Sequence, residues 1–471
     1  MITAPVHFFN TMSRTTEEFV PRLSGTASLY CCGPTVYGFQ HLGNLRTYIF
    51  EDVLVRVLKR AGYQVNHVMN ITDVGHLVSD SDEGEDKMLV ASRREGKSSL
   101  DIAEYYTKIF FDDCKKLNIA RPNIVCKATE HIAEMISLIQ KLETNGMTYT
   151  AGGNVYFDIA KMKDYGKLAK LDLEALQSGA RIVIDKHKRS PLDFALWFTK
   201  SKFENQELQW DSPWGRGYPG WHLECSAMSM RYLGEEFDIH CGGIDHIPVH
   251  HTNEIAQSEG ATGKPWVRYW LHGEFLLLNS DKMSKSRGDT LTVATLEARG
   301  IDPLAYRFFC LNAHYRSQLS FTWENLANSA RAFSRLCDLM ITLNQEPLVG
   351  PDHQWSPVAH ELRSEFEKAL FYDLGCAKAM ASVWAAVQSS ELSPSEKRSL
   401  LIDFDQVLGF GLGDLKPKTL EVPTEIQELL AARARARAEK RWSDSDTIRQ
   451  DLKERGFLVE DKGGEQILKR A

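Results

Sequence analysis

An α/β fold built on a parallel sheet is what this sequence predicts, with a domain inserted into the sheet, a helical bundle after it and a small unit at the C-terminal end. Three observations carry that expectation. Residues 28–71 read as strand, helix, strand. Strand-like segments return only after a long mixed interval, at 237–240 and 269–278. Beyond Thr322 the pattern turns helical. Parallel neighbours in a sheet need a crossover connection, so a strand–helix–strand unit is their building block.

Each element follows from its residues. Residues 28–34 (SLYCCGP) are a short apolar run ending in a Gly-Pro turn. Residues 45–60 place Tyr48, Ile49, Val53, Val57 and Leu58 at helical spacing, and Gly62 stops the helix. Residues 64–71 (QVNHVMNI) form the second strand. The polar, acidic stretch 79–87 reads as a solvated loop. Residues 101–210 mix helical patterns with short strands such as 154–159 and form the inserted domain. From Thr322 to about Leu408 the helical pattern persists, and 409–417 (GFGLGDLKP) is a linker. The last segment, 425–471, opens with the basic run 431–441 (AARARARAEKR) and is expected to be a small helical domain.

Composition bounds the class. The chain has 471 residues, enough for several domains, and is 43% hydrophobic and 25% charged, as soluble globular proteins are. No apolar run is long enough for a membrane helix, and MITAPVHFFN lacks the pattern of a secretory signal. Nine cysteines in so long a chain are not a disulfide scaffold, and the odd count suits a reducing cytoplasm. The net charge of −7 means that a nucleic-acid partner would need local basic surfaces.

Three clusters carry chemistry. The first is 34–44 (PTVYGFQHLGN), between strand and helix, where amide N–H groups and the helix dipole favour an anion. Gly43 would admit a nucleotide close to the backbone, and His41 could bond a phosphate. The second is 282–286 (KMSKS), where two lysines three apart could grip a polyphosphate. Alone, either motif is a pattern that chance produces. The third cluster is scattered: Cys32, Cys225, and His250 with Glu254, the last two on one face of a helix. Two thiolates, an imidazole and a carboxylate are a plausible tetrahedral zinc set. Cys31 should point to the opposite face from Cys32. Cys241 reads as a small filler, and Cys114, Cys126, Cys310, Cys337 and Cys376 sit in helical or core contexts.

H-x-G-N followed by KMSKS resembles the paired signatures of class I aminoacyl-tRNA synthetases. C-G-x-T-V-Y at 32–37, P-G-W-H-x-E-C-S-A-M at 219–228 and H-H-x-N-E at 250–254 resemble, position by position, the zinc site of the cysteinyl-tRNA synthetases. The likeness continues through 70–73 (NITD), 314–318 (HYRSQ) and 445–461, and departs at 462–468 (KGGEQIL). Asn44 stands where many family members have a second histidine.

The resemblance implies a Rossmann-type catalytic domain whose halves are 1–117 and 211–278, an inserted connective domain at 118–210, a KMSKS-containing connection at 279–325, a helical bundle at 326–416 and an anticodon-binding domain at 417–471. It implies His41, Asn44, Lys282 and Lys285 in catalysis, with His41, Gly43, Asn44 and Lys285 on ATP. Thr72, Trp221 and Asp245 would orient the amino acid; the plainer alternative is that Thr72 caps a turn and Trp221 is core. One zinc ion on Cys32, Cys225, His250 and Glu254, and magnesium with ATP, are the expected cofactors. The expected partners are L-cysteine, ATP and tRNA(Cys), for a monomeric, cytoplasmic ligase. Two other readings stay open: a ligase joining cysteine to an amino sugar, which would lack the basic C-terminal domain, and a non-catalytic paralogue, which need not keep KMSKS and all four zinc ligands.

Overall fold

The computed structural model describes residues 4–74, 87–170, 187–200, 207–278, 291–350, 355–417, 423–462 and 465–470. Lys282 and Lys285, with the rest of KMSKS, and the acidic residues 79–86 lie outside them. The chain forms two compact units, Met1–Asp414 and Leu415–Ala471.

The first unit is organised by a five-stranded, fully parallel sheet. Its strands in chain order are β1 (Thr26–Cys31), β2 (Gln64–Ile71), β3 (Ile124–Lys127), β4 (Phe237–Gly243) and β5 (Val267–Gly273). In space the order is β5-β4-β1-β2-β3. The order therefore reverses between β1 and β4, and the crevice beyond the carboxyl ends of such a pair is where doubly wound sheets bind ligands. Register is set by Cys31 opposite Cys241 on one side and opposite Met69 on the other. Both faces are covered, which is why β1 and β4 are almost wholly apolar or buried.

Helix α1 (Leu42–Arg60) makes the β1–β2 crossover. It starts three residues before the apolar periodicity suggests, because His41 caps it: His41 Nδ1 accepts from Asn44 N–H at 3.1 Å, and Asn44 Oδ1 accepts from His41 N–H at 3.3 Å. It buries residues around much of its circumference, including Arg46, Glu51 and Asp52, since it is packed between the sheet and later helices. Arg46 donates to the carbonyls of Glu274 (2.7 Å), Phe275 (2.6 Å), His314 (3.3 Å) and Ser317 (2.5 Å).

The insertion between β3 and β4 carries an antiparallel sheet of strands Thr148–Ala151, Asn154–Phe157, Phe194–Phe198 and Tyr218–Pro219. Its last strand runs straight into α2 (Trp221–Leu233) through Gly220, whose N–H bonds Leu196 O at 2.9 Å. A Cβ on Gly220 would lie 2.1 Å from Ala195 O, so only glycine permits the approach. Helix α3 (His250–Thr262) follows β4. The expected single strand 269–278 is two: β5 and a separate strand Leu276–Leu278 that pairs with Leu319–Phe321. The helical region resolves into Trp323–Leu343, Pro357–Phe371, Cys376–Gln388 and Pro394–Leu408. All nine cysteines are thiols; eight are buried and Cys337 is partly exposed. Cys126 lies in a strand and the other four of its group in helices.

The second unit corrects the expectation of an all-helical domain. Helices Thr424–Ala438 and Trp442–Glu454 are followed by an antiparallel hairpin, Phe457–Lys462 with Glu465–Arg470. Gly456, at φ +83°, turns the chain after the helix, and Phe457 and Val459 then bury one strand face against Ile426 and Leu452. Arg433 is not an exposed charge of the basic run either. It is 1% exposed and grips both oxygens of Asp461 (2.9 and 2.8 Å) and Gln466 Oε1 (2.6 Å).

Candidate functional site

The four expected ligands meet just beyond the sheet, at the β1–β4 switch point. Cys32 follows β1 directly, its N–H bonded to Cys241 O at 3.3 Å. Cys225 comes from the second turn of α2, and His250 and Glu254 from one face of α3. Their ligand atoms all lie within 4.8 Å of one another, and none of the four residues is more than 6% exposed.

Electrostatics fit a cation here. Burial works to raise the Glu254 carboxyl, but the charges of His250 and His240 outweigh it and hold the group well below the usual carboxylate range. Burial works to lower His250, and Glu254 and Cys225 push it well above the usual imidazole value. Burial likewise works to raise the Cys225 thiol, and hydrogen bonds with Cys32 and His250 bring it below the ordinary value. Cys32 goes the other way, raised by burial and then by Cys225.

A surrounding layer, unrecognised from the sequence, orients these groups. His240 Nε2 donates to Glu254 Oε2 at 2.9 Å, and His250 Nε2 stands 3.0 Å from Glu254 Oε1. Cys32 Sγ lies 3.5 Å from His251 Nε2, His251 Nδ1 lies 2.8 Å from His272 Nε2, and His272 Nδ1 lies 2.8 Å from Thr11 Oγ1. A thiolate at Cys32 would set every proton in that chain: each imidazole donates through the nitrogen nearer the sulfur and accepts through the other, with the Thr11 hydroxyl as last donor. Cys32, His240, His251 and Glu254 form a second overlapping donor set. The histidine density of 240–251 (HCGGIDHIPVHH) was the available sequence signal.

The expected amino-acid contacts lie around this cluster. The Trp221 ring sits 4.8 Å from that of His250. Thr72 is buried; its hydroxyl donates to Glu224 Oε2 and accepts from Asn70 Nδ2, each at 3.0 Å, while Asn70 Oδ1 accepts from Gly33 N–H at 2.8 Å. This string ties the ends of β1, β2 and α2 together. Asp245 is exposed on the turn Ile244–His246, near enough to His41 to raise its basicity against burial, which lowers it.

The N-terminus of α1 completes the crevice. Because Nδ1 of His41 accepts the capping bond, the ring proton sits on Nε2, which is left to donate outward. Leu42 N–H is bound to Leu291 O, Asn44 N–H to His41 and Leu45 N–H to His41 O. Among the described residues the Gly43 N–H is therefore the first-turn amide without a protein acceptor. A Cβ on Gly43 would stand 3.0 Å from the His41 ring. Cys31 faces away from the cluster, against Cys241 and Glu51. Among the described residues no helix is long and apolar enough to cross a membrane.

A family model described as the tRNA synthetases class I (C) catalytic domain matches residues 18–331, and one described as the cysteinyl-tRNA ligase anticodon binding domain matches residues 419–467. A Cysteine--tRNA ligase of Treponema denticola is 51% identical over 485 residues, covering 98% of this chain and 99% of that protein. Cysteine--tRNA ligase 1 of Burkholderia lata is 49% identical over 458 residues, covering 97% and 95%. Among solved structures, Mycobacterium tuberculosis methionyl-tRNA synthetase in complex with methionyl-adenylate aligns with a TM-score of 0.55 at 15% identity, covering 86% of this chain and 94% of that one. At that identity the likeness speaks to the fold alone.

Proposed function

The chain belongs to the cysteine--tRNA ligase family of class I tRNA synthetases, and from that premise we propose that it selects cysteine through a zinc ion held by Cys32, Cys225, His250 and Glu254. The observation that carries the reading is the convergence of two thiols, an imidazole and a carboxylate within 4.8 Å in a buried crevice. Glu254 is fully buried among these donors, where a carboxylate needs positive charge beside it, as a metal ligand has. When bound, zinc takes a thiolate in strong preference to a hydroxyl, which is the distinction between cysteine and serine that packing would make only about 10²-fold.

The chain's own residues do the rest by positioning and charge. A cysteine carboxylate, already ionised, attacks the α-phosphorus of ATP, and pyrophosphate leaves, with magnesium accompanying the nucleotide. His41 Nε2–H, the Gly43 N–H and Asn44 face the phosphates at the N-terminus of α1, and Lys282 and Lys285 supply charge. Thr72, Trp221 and Asp245 hold the amino acid beside the metal ligands. The 2′-hydroxyl of the terminal ribose of tRNA(Cys) then attacks the acyl carbon, and AMP leaves. We divide the chain as 1–117 and 211–278 catalytic, 118–210 inserted, 279–325 connecting, 326–416 bundle and 417–471 anticodon-binding, and assign it to the cytoplasm as a monomer.

Metal analysis and ATP–pyrophosphate exchange test the reading together. Protein purified without chelators should hold one zinc per chain and lose it in Cys225→Ser, and cysteine should drive exchange that serine does not. Full zinc retention in Cys225→Ser would remove the ligand assignment, and comparable exchange with serine would remove the metal's role.

A further inference from the structure

The face of the central sheet opposite the metal cluster carries a cleft that the ligase reaction does not use. Helix α1, the helix Ser99–Lys116, strand β2 and the loop 118–123 line it, and its volume is about 410 Å³. Small-molecule sites run from roughly 300 to 1,000 Å³. At its inner end Glu51 is 1% exposed and His67 6% exposed. Among the described residues His67 Nε2 has no hydrogen-bond partner, and the Glu51 carboxyl meets only the weak donor of the Cys31 thiol. Buried polar atoms in native folds are nearly always met, so a site that leaves them short of partners is one in which something else completes the bonding.

The walls and rim say what that occupant is. Phe110 and Phe111 offer flat apolar surface, Phe110 set at 4.9 Å from the Tyr48 ring. Lys59, Lys115 and Arg121 are exposed at the opening, and among the described residues none pairs with a carboxylate. Arg121 instead lies over the Phe111 ring at 4.1 Å. Glu51 and Lys59 stand eight residues apart on α1, about 12 Å along its axis. A ligand meeting both ends needs a planar ring edge with a donor and an acceptor, then an anion about 12 Å away by that same helical rise. An aromatic amino acid is too short and adds a cation. Burial keeps the Glu51 carboxyl well above the usual carboxylate range, with the Cys31 thiol opposing, so it can give one hydrogen bond and take another.

We propose that this cleft is a second nucleotide site, which binds a purine nucleoside monophosphate with its base edge on Glu51 and His67, its ring against Phe110 and Phe111, and its phosphate among Lys59, Lys115 and Arg121. On the proposed function, aminoacylation releases such a molecule in the crevice at the N-terminus of α1, the helix that also lines the cleft, so the cleft would read product.

The test uses the full chain with its active site filled by cysteinyl-sulfamoyl adenosine, and equilibrium dialysis against labelled AMP. One further AMP should bind per chain. GMP should compete, and UMP and inorganic phosphate should compete at least tenfold less well. Lys115→Ala with Arg121→Ala, both on exposed positions, should weaken this binding at least tenfold and leave cysteine-dependent pyrophosphate exchange unchanged. Glu51→Leu should abolish it, and circular dichroism of that variant checks that the chain is folded. No AMP beyond the analogue would overturn the proposal. So would competition by phosphate or UMP equal to that of AMP, or wild-type affinity in the double variant.

Discussion

His41 serves two ends with two nitrogens: Nδ1 caps α1 and Nε2 faces the crevice. The two uses can be separated. Asparagine is among the best N-cap residues but cannot project a donor as far, so His41→Asn should keep thermal stability within about 0.5 kcal/mol of the wild type. Its kcat for pyrophosphate exchange should fall on the order of 10²-fold, the usual loss of one phosphate-facing donor. An equal fall in stability would make His41 only a cap. His67 shows a different coupling. Burial, with Lys59 adding and Asp52 opposing, lowers its pKa from 6.5 to about 4. The unfolded chain therefore binds the extra proton first as pH falls. The contribution is whole above pH 6.5 and is lost progressively down to pH 4, about 3 kcal/mol in all. Denaturant melts of His67→Leu across that window should show a correspondingly shallower acid loss, and an unchanged slope would mean that His67 is solvated in the fold.

At the scale of elements, the site depends on how closely strand ends approach. Gly33 follows Cys32, and a Cβ there would lie 1.6 Å from the backbone oxygen of Asn70. No side chain can yield to relieve that clash. Gly33→Ala should therefore part β1 from β2, weaken zinc retention and destabilise the protein by more than about 3 kcal/mol, the range of serious backbone strain. A wild-type melting curve with full zinc would contradict the packing described. The same element shows what a sequence can disclose. β1, α1 and β2 were legible because their apolar spacing is local, and the H-L-G-N and H-H-x-N-E motifs because their residues are contiguous. The layer of His240, His251, His272 and Thr11 was not, since each partner comes from a different strand, helix or turn and only the fold brings them together. The C-terminal hairpin was missed for a related reason. Its register depends on Arg433 reaching back from a helix to Asp461 and Gln466, a long-range bond that no window of local periodicity contains.

At the scale of the whole molecule, the division into Met1–Asp414 and Leu415–Ala471 allows the reaction's halves to be cut apart. All four proposed metal ligands, His41 and both lysines of KMSKS precede the boundary. A chain stopped after Lys416 should activate cysteine at the full-length rate, while tRNA charging falls, chiefly through a higher KM. Arg437 pairs with Asp461 at 3.1 Å, so Arg435 and Lys440 remain as exposed basic residues, and the lost contribution should be the salt-sensitive part of tRNA affinity. Charging by the truncated chain equal to that of the intact one would show the second unit to be structural. The first unit is tied across its own layers by Arg307, which is fully buried and reaches Asp52 on α1 at 2.6 Å and Leu408 O at 2.6 Å. Eight of the nine thiols are shut away in that architecture, in an enzyme that handles a thiol for its living. Disulfide exchange needs a thiolate that can reach the disulfide it attacks, so Cys337 should form a mixed disulfide with cystine, releasing cysteine, while the rest are spared. A thiol-reactive dye then becomes a clock with three hands: Cys337 reacts in the native protein, Cys32 and Cys225 when their crevice opens, and the remaining six only as the sheet and bundle come apart.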